Sequence, residues 1–493
     1  MDDDRRLDST TRLLGDFVHH VSDQVVVPPF TAGGRTTGSR RRVRAGRRPL
    51  AAVLAAVVVV GSIVLAVAYG PRSTDTGTGV TGRPTDTTWT VAAADQWSRE
   101  FAPGNIANFG VPDTITCPAG SVSTCFVTAS SISTGFSALT SAAYRTTDSG
   151  STWQKLTLPA YSWLSSKFTC SGPLTCEVGA DIQFPPTGTP DFTGQGAMLS
   201  TDDGGRRWTV HDLPSAFGLV TDLSCPTRTH CVAFAWLRGD DPLPNYASGA
   251  ERYDPTAVLT TTDGGRTWSR ASLPPASSPL VRYALGSYVG GSLTCPTVTV
   301  CDATGEQAEL VTTSDGYVQR DQRSVALVSS DAGRSWTTTH QTDIVGLSSL
   351  SISCVGGSTC WMLEDPGPGV TNPDEVFASD DGGRRWSPLS STGLPRPDEG
   401  VPDSITCSSI HECFLPDDGS DATNQTILTT NDGGHQWLSE ALPPPSTGEI
   451  SRSVAGLSCS VSGSCLALVD ELLAAPSFTV VNEVLTNLPR PTG

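Results

Sequence analysis

TTDGGRTW, residues 261–268, places an acid, two glycines and an arginine in one short stretch, the make-up of a catalytic loop. Its recurrence argues otherwise. The pattern S/T-x-D-x-G-x-x-W also stands at TTDSGSTW (146–153), TDDGGRRW (201–208), SSDAGRSW (329–336), SDDGGRRW (379–386) and TNDGGHQW (430–437). Six copies spread along one chain cannot all serve one reaction centre. The expected role is a turn, in which Asp148, Asp203, Asp263, Asp331, Asp381 and Asp432 accept bonds from their own backbone N–H groups. The glycine supplies positive φ. Trp153, Trp208, Trp268, Trp336, Trp386 and Trp437 fill apolar space beside the turn.

The cysteines recur with the same period. All 14 lie beyond residue 116, in seven close pairs: Cys117/Cys125, Cys170/Cys176, Cys225/Cys231, Cys295/Cys301, Cys354/Cys360, Cys407/Cys413 and Cys459/Cys465. An even count of this kind reads as disulfides. Zinc does not suit the set, because C-x2-C spacings are missing and no histidines accompany the pairs. Runs such as LSCPTRTHCVAFAW and LSCSVSGSCLAL alternate apolar and polar residues on both sides of a short connection, which reads as a hairpin. A disulfide across that hairpin joins cross-strand neighbours.

Each unit therefore reads strand, disulfide hairpin, strand, variable loop, strand, Asp–Gly turn, strand. Four antiparallel strands repeated around a ring make a β-propeller blade. Seven hairpins against six Asp turns leave one blade short of a strand. Residues 483–486 match a third strand, and TDTTWTVA (85–92), with Trp89 at the tryptophan position, is the candidate fourth. A last blade built from both termini leaves no open sheet edge. The expectation is an all-β, seven-bladed propeller over residues 83–493, with its seam between residues 85–92 and 482–487.

The repeated turn is similar to the Asp-box, or BNR, repeat of sialidases, sortilin-type receptors and Ycf48/Hcf136-like photosystem assembly factors. The resemblance covers about residues 83–493 and implies the propeller fold, while function differs among its bearers. The sialidase resemblance implies an arginine triad, a Tyr–Glu nucleophile pair and an acidic general acid, with the first arginine in an F/Y-R-I-P stretch ahead of the first box. The arginines between the apolar run and that box are Arg72, Arg83, Arg99 and Arg145, and none has that context.

Residues 49–69, PLAAVLAAVVVVGSIVLAVAY, are an uncharged apolar run long enough to cross a bilayer as a helix. The Arg-rich stretch at residues 40–48 precedes it, which places the N-terminus in the cytoplasm and the rest outside. Residues 1–48 form a cytoplasmic segment with a short amphipathic helix expected over residues 9–29. Residues 70–82 are a linker. The net charge of −18 is split, since residues 1–48 carry six Asp and ten Arg and the remainder carries 44 acids against 22 bases. An acidic exterior body argues against nucleic acid. P-loop, dinucleotide-binding, HExxH and G-x-S-x-G motifs are missing, and no cofactor or metal is expected.

The Asp turns and disulfide hairpins share one face of the ring. The opposite face carries the non-repeating connections, roughly residues 179–196, 235–255, 279–291 and 303–323. Aromatic and arginine side chains on loops over a rigid scaffold suit recognition. Trp236, Arg238, Tyr246, Tyr253, Tyr283, Tyr288, Tyr317 and Arg320 are the candidate binding surface, unless some fold back as loop cores. The expected function is non-catalytic binding of an envelope protein or a glycan by a membrane-anchored ring. The alternative is a sialidase-like or other glycoside hydrolase, which for the usual retaining kind needs two carboxylates roughly 5 Å apart.

Overall fold

The structure is a computed structural model. It describes residues 90–94 and 109–487, apart from 119–120, 122, 133–138, 161, 183–194, 238–255, 276–280, 286–290, 314–315, 343–348, 366–374, 396–401, 403, 418–425, 444–448, 462–463 and 474–478. The apolar run at 49–69, the segment before it and the linker lie outside the described residues. So do Trp89, Arg238, Tyr246, Tyr253 and Tyr288.

Among the described residues, thirty strands form seven antiparallel sheets, one per blade. Blade 3 shows the plan: Phe217–Thr227, His230–Leu237, Thr256–Thr261 and Ser269–Arg270 lie side by side in chain order. The disulfide hairpin joins its first two strands and the Asp turn joins its last two, so both cap the same end. In blades 2 and 4 the first strand is in two pieces, Ser162–Leu164 with Thr169–Cys170 and Val281–Leu285 with Leu293–Thr294.

Blade 7 closes the ring. Its sheet holds Glu449–Val461, Ser464–Leu473 and Thr479–Thr486, and the last of these pairs with Thr90–Ala94. Thr90 lies opposite Thr486 and Ala94 opposite Glu483. Residues 85–89 lie outside the described residues; the described part of the outer strand, from residue 90, pairs with the segment expected from the pattern.

All seven expected disulfides are formed, with Cα separations of 3.9–4.2 Å. They act as staples across each blade's hairpin. The second cysteine of every pair, Cys125, Cys176, Cys231, Cys301, Cys360, Cys413 or Cys465, is buried. The reason is its place at the start of the second strand, which is flanked by the first and third strands of its own sheet. The first cysteines lie on an outer strand, and Cys170, Cys354, Cys407 and Cys459 among them are only half-buried.

Each Asp turn is also tied to the hairpin of its own blade by one backbone bond. Ser149, Gly204, Gly264, Ala332, Gly382 and Gly433 donate their N–H groups to the carbonyls of Ser123, Leu174, Thr229, Thr299, Ser358 and His411 at 2.8–3.0 Å.

The core is distributed between blades. Seven apolar clusters correspond to the seven seams, and the tryptophan of each Asp turn packs in the seam with the preceding blade. Trp336 and Trp437 are buried there, while Trp153, Trp208, Trp268 and Trp386 are half-buried. The leucine of the LP pair that follows most turns fills the next seam, as Leu158, Leu213, Leu273, Leu394 and Leu442 do. Sheets with two apolar faces are stable only when both are covered, so a closed ring is the way such blades bury them.

The expected loop at 303–323 is not a loop. Cys301–Thr313 and Gly316–Ser329 form one long antiparallel ribbon, paired from Cys301↔Ser329 out to Thr313↔Gly316. The cause is a two-residue connection before Gly316, within SDGY, flanked by strand-forming residues. Tyr317 and Arg320 therefore stand on a strand, opposite Thr312 and Glu309. Residues 281–285, expected as part of another loop, extend the same sheet.

Candidate functional site

The Asp turns are scaffold in every detail. The hydroxyl two residues before each Asp donates to one carboxylate oxygen, as Thr261 Oγ1 does to Asp263 at 2.8 Å. The same hydroxyl accepts the N–H of the second glycine, Gly265, at 3.0 Å. Asp263 also accepts the backbone N–H of Thr267 at 2.9 Å and its hydroxyl at 2.7 Å. Asp148, Asp203, Asp331, Asp381 and Asp432 repeat the bond from the residue four places on, at 2.8–3.0 Å. The Thr267 hydroxyl and amide, followed by Thr261, hold the Asp263 carboxyl at about 2. The Arg385 guanidinium does the same for Asp381, also at about 2. Every carboxylate is turned onto its own loop.

Arg145, which precedes the first turn, is equally structural. It is 6% exposed and donates to the Gly204 carbonyl of blade 2 at 2.8 Å.

Among the described residues, a cavity that gathers side chains from several blades lies where the first strands face each other. It has a volume of about 270 Å³ and is lined by residues from blades 1, 2, 3, 4 and 7. All of them belong to the three residues before a blade's first cysteine, or are that cysteine, so the cavity is the axis of the ring. The local sequence there is apolar, then Ser or Thr, then Cys in all seven blades: ITC, FTC, LSC, LTC, ISC, ITC and LSC. Alternation explains the pattern: the apolar residue and the cysteine turn into the seam with the preceding blade, and the hydroxyl between them faces the other way.

The hydroxyls form a girdle. Thr169 Oγ1 accepts the N–H of Cys225, Ser224 Oγ that of Cys295, Ser353 Oγ that of Cys407 and Ser458 Oγ that of Cys117, each at 2.9 Å. A second set of rungs lies two residues earlier. Asp222 accepts Leu223 N–H at 2.8 Å and Leu293 N–H at 2.9 Å, and Ser351 accepts Ile405 N–H at 3.1 Å. Asp222 is fully buried, which raises its pKa, opposed by the nearby Lys167. Lys167 lines the cavity and is its charged residue.

Two further acids sit in seams. The residue after each second cysteine is Phe126, Glu177, Val232, Asp302, Trp361, Phe414 or Leu466. Glu177 and Asp302 are each 1% exposed where the others are apolar. Burial raises Glu177 to about 8, helped by Asp202 and opposed by Arg228. Burial likewise raises Asp302 to about 7, opposed by Arg384. Asp302 Oδ2 lies 3.3 Å from Cys354 Sγ and 4.0 Å from Cys360 Sγ. Those three groups have the spacing of metal ligands. Metal ligation needs thiolates, however, and these two sulfurs are bonded to each other.

Of the candidate surface, Trp236, Tyr283, Tyr317 and Arg320 fall on described residues. Tyr283 is 8% exposed and belongs to the core between blades 3 and 4, because residues 281–285 are strand and not loop. Trp236 is half-buried at the end of the second strand of blade 3, opposite Thr256. The girdle and Lys167 had not been singled out, although a hydroxyl before every first cysteine is visible in the sequence.

No protein family and no curated protein matches the chain. Solved structures are similar at low identity. The Pyrococcus horikoshii acylaminoacyl peptidase gives a TM-score of 0.42 at 7% identity over 74% of this chain and 52% of that one. A polysaccharide lyase, the PL25 ulvan lyase, gives 0.44 at 9% over 77% and 94%. The GH74 enzyme of Niastella koreensis gives 0.36 at 11% over 75% and 65%. The chain spans about half the length of the peptidase. At these values the likeness concerns the β-propeller fold and nothing beyond it.

Proposed function

We propose that this chain is an Asp-box propeller, held outside the cell membrane by residues 49–69, whose ring binds a glycan of the envelope at its axis. The observation that supports the reading is the cavity of about 270 Å³, lined by Thr116, Thr169, Ser224, Thr294 and Ser458 together with Lys167. Concave sites with a few convergent polar groups on a rigid frame are the usual place for a small ligand. The six Asp turns support the Asp-box reading, since each uses its carboxylate on its own backbone and leaves binding to other residues.

A second reading is cleavage of a glycan by the same ring. One observation favours it: Glu177, raised to about 8, holds its proton at neutral pH as a general acid must. It faces a seam, and the other strongly raised seam acid, Asp302, lies two blades away. The lyase and GH74 propellers named above act on their own substrates, and their likeness to this ring extends to the fold alone.

Full-length protein extracted from membranes, applied to an array of envelope polysaccharides and to a set of fluorogenic glycosides, tests both readings. Retention on a glycan without glycoside turnover is the expected result. Turnover that disappears in Glu177→Gln transfers the assignment to cleavage. Absence of retention and turnover, with crosslinking in intact membranes to a protein through the ring, overturns the glycan reading.

A further inference from the structure

We infer that the axial cavity is a site for an oxyanion, the carboxylate or sulfate of an acidic sugar or a small free anion, held by Lys167 and the girdle hydroxyls. The inference rests on the axis being the binding site and names what it takes there. Its basis is a surplus of donors. The oxygens of Thr169, Ser224 and Ser458 already accept the N–H of Cys225, Cys295 and Cys117 from the next blade. A hydroxyl has one proton to donate in addition. Among the described residues none of these three hydroxyls, nor Thr294, donates to another group. The Lys167 side chain lines the same space and makes no ion pair or hydrogen bond among the described residues. Its ammonium has three protons to donate and no lone pair to accept with. The side chains lining the cavity include no carboxylate.

Donors on four blades around one axis, with one cation among them, complement a group of several acceptor oxygens with a negative charge. Charge-assisted bonds to such a group are roughly twice as strong as neutral ones. Asp222 feels the charge of Lys167 but forms no ion pair with it among the described residues, and its two oxygens accept the N–H groups of Leu223 and Leu293. The volume of about 270 Å³ leaves room for one acidic group or one sugar and its hydration. The ring as a whole does not draw anions in, because beyond residue 48 it has 44 acids against 22 bases. Selectivity has to come from the local donors.

The test is calorimetric titration of the full-length protein in detergent with glucuronate, sulfate and glucose, repeated on Lys167→Gln. Lys167 is only half-buried and its ammonium holds no other group, so the variant keeps its melting temperature, which is the control for folding. Glucuronate or sulfate binding that weakens at least tenfold in Lys167→Gln, with glucose bound at least tenfold more weakly than glucuronate, is the expected result. Equal affinity in the variant and the parent overturns the oxyanion site, as does glucose binding as tightly as glucuronate. Failure of both anions, with a neutral envelope glycan still retained, removes the oxyanion site and leaves the glycan reading in place. Binding of sulfate but of no sugar, dependent on Lys167, supports a small-anion site and removes the glycan reading.

Discussion

The Asp turn of blade 3 and the seam between blades 4 and 5 each hold an aspartate, and the two carboxyls behave in opposite ways. Asp263 sits at the surface among three donors, which hold it ionised down to about 2. Asp302 is packed on a disulfide and on Gly383 of the next blade, and burial holds it protonated up to about 7. The first stabilises the ring as an anion and the second only as a neutral acid. The difference shows that charge in this fold is tolerated where the backbone turns and costly where blades meet.

The sharpest way to break the comparison is at the glycines. Gly264 and Gly383 have nearly the same φ, 74° and 73°. A Cβ on Gly383 would stand 2.0 Å from Asp302 Oδ1, whereas on Gly264 it would meet only the Arg228 carbonyl at 3.4 Å. Gly383→Val is expected to cost about 3 kcal/mol or more, from positive φ and from overlap together. Gly264→Ala should cost about 1 kcal/mol, from φ alone. Thermal unfolding of both variants measures the gap, and equal losses would mean that the seam gives way.

Asp302→Val, which copies the Val232 of blade 3 into the seam, is the next largest expected effect. Between pH 3.8 and about 7 the unfolded chain loses the Asp302 proton while the folded ring keeps it, so this group lowers stability as the pH rises. The variant should match the parent near pH 3.5 and exceed it by about 2 kcal/mol at pH 8 in urea unfolding. The turn acids respond with the other sign. Their stabilisation is present at neutral pH and is lost as pH falls from 3.8 through about 2. Asp263→Ala should therefore lower the melting temperature more at pH 7 than at pH 2.

Replacing Cys225 and Cys231 by Ala should cost about 2 kcal/mol, the entropy of a short closed loop. Ala332→Gly is the smallest effect. Ala332 occupies the same turn position as Gly264, at φ 70°. Relief of that conformation, less the freedom that glycine gains in the unfolded chain, should stabilise by about 0.5 kcal/mol. A loss on this substitution would mean that the Ala332 methyl, 8% exposed, contributes to the seam.

Much of this was legible beforehand, for a reason particular residues make plain. A seven-fold repeat states its local rule seven times, so the pairing of Cys225 with Cys231 and the turn at Asp263 could be read by comparing copies. That the second cysteines, such as Cys176 and Cys413, are the more deeply buried members of their pairs follows only from the flanking strands. The connections between second and third strands and between blades do not repeat, and there the reading failed in places. Tyr283 and Tyr317 looked like loop residues because aromatic and charged residues alternate there without a repeat to compare. Pairing along Cys301–Thr313 and Gly316–Ser329 makes them strand. The girdle was written in the sequence as Ser or Thr before every first cysteine, but a hydroxyl at a strand edge has no evident partner until the next blade is in place.

By itself, then, the sequence determined the local units: which residues turn, which pair and which cysteines bond, because those contacts lie within some tens of residues and their chemistry recurs. Tertiary structure decided what the units face. Ser458 meets Cys117 only because the ring closes. Lys167, Ser224 and Ser458 share one cavity only because five blades converge on an axis. Closure sets neighbours that are far apart in the chain, and no local pattern encodes how a strand edge is shared across that distance.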